Sequence, residues 1–404
     1  MSREKFIVKT YLSVIIMKGK TPFAKRPIHW EASMTRSQES GGFFMESPPG
    51  PETVFNGRKY LYFGGTGYFG LHGNPEMIQA GIQAFQAEGT HPGTGKTYGN
   101  SRHQAGVETR LCQFFDTEAC VYYVSGIMNG LYLAQSLAPE YEAIFVDDTA
   151  HFNIWDGIRS TGKPVFAYRH CDPEDLELRV RAELKPGQRP LVITDGVFPA
   201  LGEVAPVPDL LRVAEQYDGL VAVDDAHAVG VLGEHGRGTF EHFGLADARL
   251  HHAGTLSKAF GGHGGFFPGP AGLIERIKHS LGAYLGATST PTPLAAASAR
   301  GIELVRDHPE WRLRLRANTE RLRAGLRAMG FGLADTPFPI VAWSLGTAAE
   351  MERVQAALQQ NGIILPIFKN YAGAPEAGLL RASVFSTHAP GDIDRLLEEL
   401  GRVV

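Results

Sequence analysis

The chain has little of what marks a secreted scaffold, a nucleic-acid binder or a fibre. Only three cysteines occur in 404 residues, Cys112, Cys120 and Cys171, none of them in a Cys-x-x-Cys pair. So sparse and odd a set argues against a disulfide framework or a structural zinc cluster and for a reducing compartment, the cytoplasm. Neither sign of charge dominates: 39 Lys and Arg stand against 43 Asp and Glu, a net charge of −4. That balance gives no electrostatic footprint for nucleic acid or an anionic membrane. The apolar stretch at residues 11–17 is too short to span a bilayer and has no small-residue cleavage site, so no membrane span is expected. What the chain does have is glycine, 48 residues of it, well above the usual share of about 7%. No Gly-x-y period accompanies it, so these glycines belong at turns and close backbone approaches.

Length and a hydrophobic content of 43% predict a globular protein of two or three domains. Residues 1–56 read as an irregular arm, basic between Lys18 and Arg26, then rich in Ser, Gly and Pro. Asn74-Pro75-Glu76 is a helix start, and Ile78, Ile82 and Phe85 follow on one face. Apolar runs at 120–125, 143–146, 164–168, 191–194, 220–224 and 264–268 alternate with helical stretches such as 173–184 and 208–217. This is an α/β pattern, a mostly parallel sheet wrapped by helices. Past Pro291 the texture changes. A long helical region at 294–329, broken near His308-Pro309, precedes apolar runs at 339–343, 363–368 and 379–385 and helices at 348–360 and 390–400. The expected organisation is an arm (1–56), a large domain (57–290) and a smaller C-terminal α/β domain (291–404).

Three motifs invite readings that their context refuses. Gly93-Thr94-Gly95-Lys96-Thr97 resembles the end of a nucleotide-phosphate loop, but the position that requires the first glycine is Thr90, and a helix precedes it where a strand is needed. Thr255-Leu256-Ser257-Lys258 lacks the leading serine and companion motifs of a Ser-x-x-Lys nucleophile. His251-His252 has no third metal ligand nearby in sequence. A stronger constellation sits at the strand ends. The run 220–224 closes on Asp224, with His227 three residues later, and an acid at the carboxyl end of a parallel strand points into the usual ligand crevice. Lys258 lies among small and apolar residues, where burial favours a neutral amine that can form an imine. An acid beside an imine-forming lysine is what pyridoxal phosphate requires, because the acid keeps the pyridine nitrogen protonated. Ser125-Gly126 turns a strand into a helix whose first amides can bind an anion. His151, after the next strand, offers a ring to stack on the cofactor.

The stretches VDDAHAVGVLGEHGRGT from Val223 and GTLSKAFGG from Gly254, with TDGVF at Thr194 and LLRASVFSTHAPGDIDRLLEEL at Leu379, resemble the pyridoxal-phosphate-dependent α-oxoamine synthases. The resemblance runs from about Tyr60 to the C-terminus. It implies a fold type I enzyme, with a mostly parallel seven-stranded sheet in the large domain. It also implies decarboxylative condensation of an amino acid with an acyl thioester, carried on CoA or a carrier protein, to a 2-amino ketone. By the same resemblance Lys258 carries the cofactor and acts as acid and base, Asp224 pairs the pyridinium, His227 bonds the ring hydroxyl and His151 stacks. Ser125, Gly126, Ile127 and Thr255 hold the phosphate, and Arg381 binds the amino acid's carboxylate. Thr288 and Ser289 match a segment that reaches the neighbouring subunit's cofactor, implying a homodimer with active sites at the interface. The chain departs from the family's pattern around the substrate. Thr66-Gly67 replaces Asn-Asp, so Thr66 stands where an amide meets the substrate. Pro199 replaces a serine near the ring oxygen, and 366–371 replaces an Arg-Pro-Pro run. These changes keep an aminotransferase, or another decarboxylating enzyme on this scaffold, as the alternative reading. An inactive relative would be expected to lose Lys258 or Asp224, and this chain keeps both.

Overall fold

Parallel strands whose carboxyl ends meet on one edge of a sheet organise this molecule. The computed structural model describes residues 43–95, 99–369 and 374–404. The arm's basic segment, the apolar residues 11–17, Lys96 and Thr97 of the phosphate-loop lookalike, and residues 370–371 lie outside the described residues.

Two short strands come first, β1 (Glu52–Phe55) and β2 (Arg58–Tyr62), paired antiparallel. The expectation that residues 1–56 are irregular is therefore corrected at its end. Asn56 and Gly57 both take positive φ, 47° and 74°, the two-residue turn that closes a hairpin. Thr53 and Phe55 face inward, so burial fixes the strand that composition hid.

The central sheet comprises β3 (Ala119–Tyr123), β4 (Ala143–Asp147), β5 (Val165–Tyr168), β6 (Pro190–Asp195), β7 (Leu220–Asp224), β8 (Leu250–Thr255) and β9 (Gly265–Gly269). Its seven strands run in the order β3-β9-β8-β7-β6-β4-β5. Only β9 is antiparallel to its neighbours, and β4 to β8 pair in parallel. The central strands β4, β6 and β7 read as apolar runs because both faces are covered, and they are buried throughout.

The C-terminal third forms β10 (Ile340–Trp343), β11 (Ile363–Ile364), β12 (Ile367–Phe368) and β13 (Leu379–Ser383). Strands β10, β13 and β12 make a small antiparallel sheet, while β11 joins β2 in parallel. The run expected at 363–368 is thus two strands on two sheets. Pro366 divides them, since proline has no N–H for a ladder. The long helical region breaks as expected, into Thr292–Asp307 and Glu310–Ala328. Among the described residues no helix is long and apolar enough to cross a membrane.

The helix Pro75–Glu88 begins with the Asn74 side chain accepting from Glu76 and Met77 N–H groups. It buries Met77, Gly81 and Ala84, whereas the Ile78, Ile82 and Phe85 face is 49%, 45% and 51% exposed.

Candidate active site

Three parallel neighbours end on acids: β4 on Asp147, β6 on Asp195 and β7 on Asp224, with Asp195 directly opposite Asp224. Asp224 is buried, at 4% exposure, so its oxygens need partners. Oδ1 accepts from Asn129 Nδ2 at 2.8 Å and from the Ala226 N–H at 3.1 Å. Oδ2 accepts from Asn153 Nδ2 at 2.7 Å. The Tyr123 hydroxyl donates to Asn129 Oδ1 at 2.7 Å, which orients that amide. Neither asparagine stands out in the sequence. They come together because the helices Asn129–Leu137 and Phe152–Arg159 cross at Gly130 and Gly157, where a Cβ on either glycine would overlap the other helix's backbone.

Lys258 sits in the bend just past β8. Burial depresses its amine to about 8, Asp224 and Asp195 pull the other way, and the Arg381 charge adds to the depression. His227 is driven well below its ordinary value by burial, then by the charges of Lys258, Arg381 and His151. Its Nδ1 lies 2.9 Å from the buried Tyr68 hydroxyl. His151 is lowered too, mainly by burial, and its backbone N–H donates to Asp195 Oδ2 at 2.7 Å. Burial, then the Asp224 charge, raises Asp195 well above the usual carboxyl range. Lys258, Asp224, His227, His151 and Arg381 are thus one electrostatic neighbourhood, as their spacing in sequence could only suggest.

A polar cradle lies beside them. Ser125 precedes the turn Gly126–Met128, and its Oγ accepts from the Ile127 N–H. A Cβ on Gly126 would stand 2.7 Å from Thr255 Oγ1, so only glycine lets this helix-start turn lie against β8. Thr255 Oγ1 in turn meets Ser257 Oγ at 2.8 Å. The sequence around Ser257 carries only the signature of a nucleophile motif, and nothing in it marks the hydroxyl as part of this cradle. Thr288 is exposed and its backbone bridges to Gly95. Ser289 is 2% exposed, within its own chain.

Arg381, on β13, is 2% exposed. It donates through Nε to the Pro199 carbonyl at 2.7 Å and through Nη1 to Ser383 Oγ at 2.9 Å. Its guanidinium carbon lies 4.6 Å from the Phe368 ring centre. Ser383 passes the chain on to the Gly65 carbonyl at 2.7 Å, which ties Arg381 to the loop holding Thr66. That loop is glycine-rich because other side chains occupy its space. A Cβ on Gly64 would meet the Tyr62 ring at 2.7 Å, and one on Gly67 the His72 ring at 2.8 Å. Pro199 offers no hydroxyl to a ring oxygen; what it contributes is the carbonyl that accepts from Arg381 Nε.

One cluster of metal-ligand types exists among the described residues: Asp147, His170 and Cys171; His251 and His252 join none. Its donors are already engaged. His170 Nδ1 lies 3.0 Å from Asp147 Oδ1, its Nε2 3.0 Å from Glu203 Oε2, and Asp147 Oδ2 accepts from the Cys171 N–H at 2.8 Å. Burial alone would lower the His170 pKa, but hydrogen bonds to Asp147, Cys171 and Glu203 carry it up to about 12. The cluster is a hydrogen-bonded clamp between the end of β4 and the turn before Val204.

The donor set suits a flat, anionic pyridine cofactor. It offers a buried acid ringed by N–H donors, an amine near neutrality, two imidazoles that feel that amine's charge and a hydroxyl-lined helix start. The family model for aminotransferases of class I and II matches residues 66–400, and the chain belongs to that family. Within it, the chain is 34% identical to the 8-amino-7-oxononanoate synthase 1 of Bacillus subtilis, covering 88% of this chain and 90% of that one. The 8-amino-7-oxononanoate synthase of Methylococcus capsulatus is also 34% identical, over 89% and 93% of the two chains. Among solved structures, serine palmitoyltransferase from S. paucimobilis with a bound pyridoxal phosphate–myriocin adduct superposes with a TM-score of 0.85, at 28% identity over 92% of this chain and 96% of that one. The Sphingomonas wittichii serine palmitoyltransferase gives the same score and identity over 92% and 94%. The fold is that of the fold type I pyridoxal-phosphate enzymes.

Proposed function

We propose that this protein is a pyridoxal-phosphate-dependent α-oxoamine synthase. It joins an amino acid to an acyl thioester and releases carbon dioxide, a thiol and a 2-amino ketone. The observation that carries the reading is the buried Asp224, with its three N–H donors, set beside the depressed Lys258 amine and the buried Arg381. The relatives named as synthases support it.

Bound pyridoxal phosphate supplies an electron sink for charge developing at the amino acid's Cα. Asp224 would hold its ring nitrogen, His227 its ring hydroxyl and Lys258 its aldehyde carbon. His151 would cover one ring face, and Ser125, Gly126, Ile127 and Thr255 would hold its phosphate. Arg381 fixes the substrate carboxylate, which sets the orientation of the bonds at Cα. Lys258 Nζ takes the proton from Cα, the thioester carbonyl accepts the new C–C bond as the thiol leaves, and a proton returns to Cα after loss of carbon dioxide. In this reading residues 57–290 form the cofactor-binding domain, and 291–404 bring Arg381 to it. Two copies pair with active sites at the interface, a reading supported by the exposed apolar face of Ile78, Ile82 and Phe85. A reducing cytoplasm suits the three free cysteines.

The test is a matrix of amino acids against acyl-CoA and acyl-carrier thioesters, run on cofactor-loaded protein. Thiol release that depends on one amino acid is expected, and is lost in Lys258→Ala. Conversion of a 2-oxo acid to an amino acid without thiol release would make it an aminotransferase instead.

A further inference from the structure

Asn153 touches both sides of the candidate cofactor site, and its amide can be oriented by chemistry alone. The side chain is 5% exposed. One end lies 2.7 Å from Asp224 Oδ2 and the other 2.7 Å from His151 Nδ1. A carboxylate only accepts, so the NH2 group faces Asp224 and the carbonyl oxygen faces His151. A carbonyl also only accepts, so His151 Nδ1 must carry the proton that closes the second bond. The Asn153 backbone N–H approaches the same Nδ1 at 3.3 Å and would need a lone pair there. One nitrogen cannot donate and accept on a single site, and the shorter contact, to an oxygen whose direction is already fixed, decides between them.

Resting on the functional reading above, we infer that Asn153 is a positioning residue for the cofactor. It joins the acid for the ring nitrogen to the imidazole for the ring face, and it holds His151 as the tautomer protonated at Nδ1. The backbone supports this independently. The Gly130–Gly157 crossing brings Asn129 and Asn153 onto the same carboxylate, yet only Asn153 also reaches His151. Asn129 is thus a built-in control: it gives Asp224 a donor of the same kind and takes no part in the ring's tautomer. Such a link fixes the rotation of the imidazole about its own plane, which stacking alone leaves free. It also makes His151 respond to the charge state at Asp224, through one polarised amide.

The experiment is nitrogen-15 NMR of histidine-labelled, cofactor-loaded full-length protein, with His151 assigned by its loss in His151→Gln. Wild type is expected to show His151 protonated at Nδ1, and Asn129→Ala to keep that signature. Asn153→Ala, and Asn153→Ser, whose single hydroxyl cannot serve both partners, are expected to lose it. Both are expected to lower kcat roughly tenfold, with KM for the amino acid within about twofold. Wild-type His151 protonated at Nε2, or a tautomer that changes equally in Asn129→Ala and Asn153→Ala, overturns the inference. Failure of wild type to bind pyridoxal phosphate at all would instead overturn the functional reading, and the two failures are told apart by the cofactor's absorbance in the same sample.

Discussion

Lys258 gains its chemistry from where it is held. A lysine in water titrates near 10.4, so almost none of it is a nucleophile at neutral pH, whereas here desolvation brings the amine to about 8. The rate at which cofactor-free protein captures pyridoxal phosphate should therefore rise with pH through a midpoint near 8, read by stopped-flow absorbance. The sign of a neighbouring charge can be checked on the same curve. The Asp224 charge favours the ammonium form of Lys258, so Asp224→Asn should move the midpoint lower. A midpoint above 9.5 in wild type would mean that the lysine is solvated. The glycines of the 64–67 loop show the same dependence on surroundings. They stand where Tyr62 and His72 have taken the room, so their substitution for the family's polar residues goes with a repacked loop rather than a vacant one.

At the scale of elements, the clamp of His170 between Asp147 and Glu203 joins the end of β4, which leads to His151, to the turn whose Pro199 carbonyl holds Arg381. Removing the imidazole leaves buried Asp147 without its counter-charge, and His170→Ala is expected to lower stability by about 3 kcal/mol. The pH dependence follows from a folded pKa raised above the unfolded one. The stabilisation is complete below about 6.5 and diminishes as pH rises toward the folded value near 12. The gap between wild type and variant in urea midpoint should accordingly be wider at pH 6 than at pH 9; an equal gap would remove the charge from the explanation. Much of the scaffold around this clamp was legible in the sequence. The apolar runs locate β3 to β7 and β9 within a residue or two, because strands covered on both faces need uninterrupted apolar residues. Asp224 and Lys258 were legible for a related reason: a charge is conspicuous inside such runs. Strand β8 was harder, since His251 and His252 interrupt its pattern, and β1 shows too few apolar residues to register. Asn129, Asn153 and Ser257 were silent. Their partners are set by a helix crossing and a turn, and no local periodicity encodes either.

For the whole molecule, the exposed stripe of Ile78, Ile82 and Phe85 is the feature hardest to reconcile with a chain that works alone. If a second copy covers it, as proposed, Ile82→Asp should place a charge in that contact and convert dimer to monomer in sedimentation velocity, with loss of bound cofactor. A monomeric wild type would refute the shared-site reading. The small sheet β1-β2-β11 bears on a different stage of the protein's life. Leu61 pairs with Ile363 and Tyr62 with Ile364, so about 300 residues are made between β2 and the strand that completes its sheet. At synthesis rates of roughly 5–20 residues per second, β2 waits about 15–60 s on the ribosome with an unpaired edge. Until β11 emerges that edge is free to pair wrongly, so the window for misassembly, and for chaperone capture, is set by the length of chain made between β2 and β11.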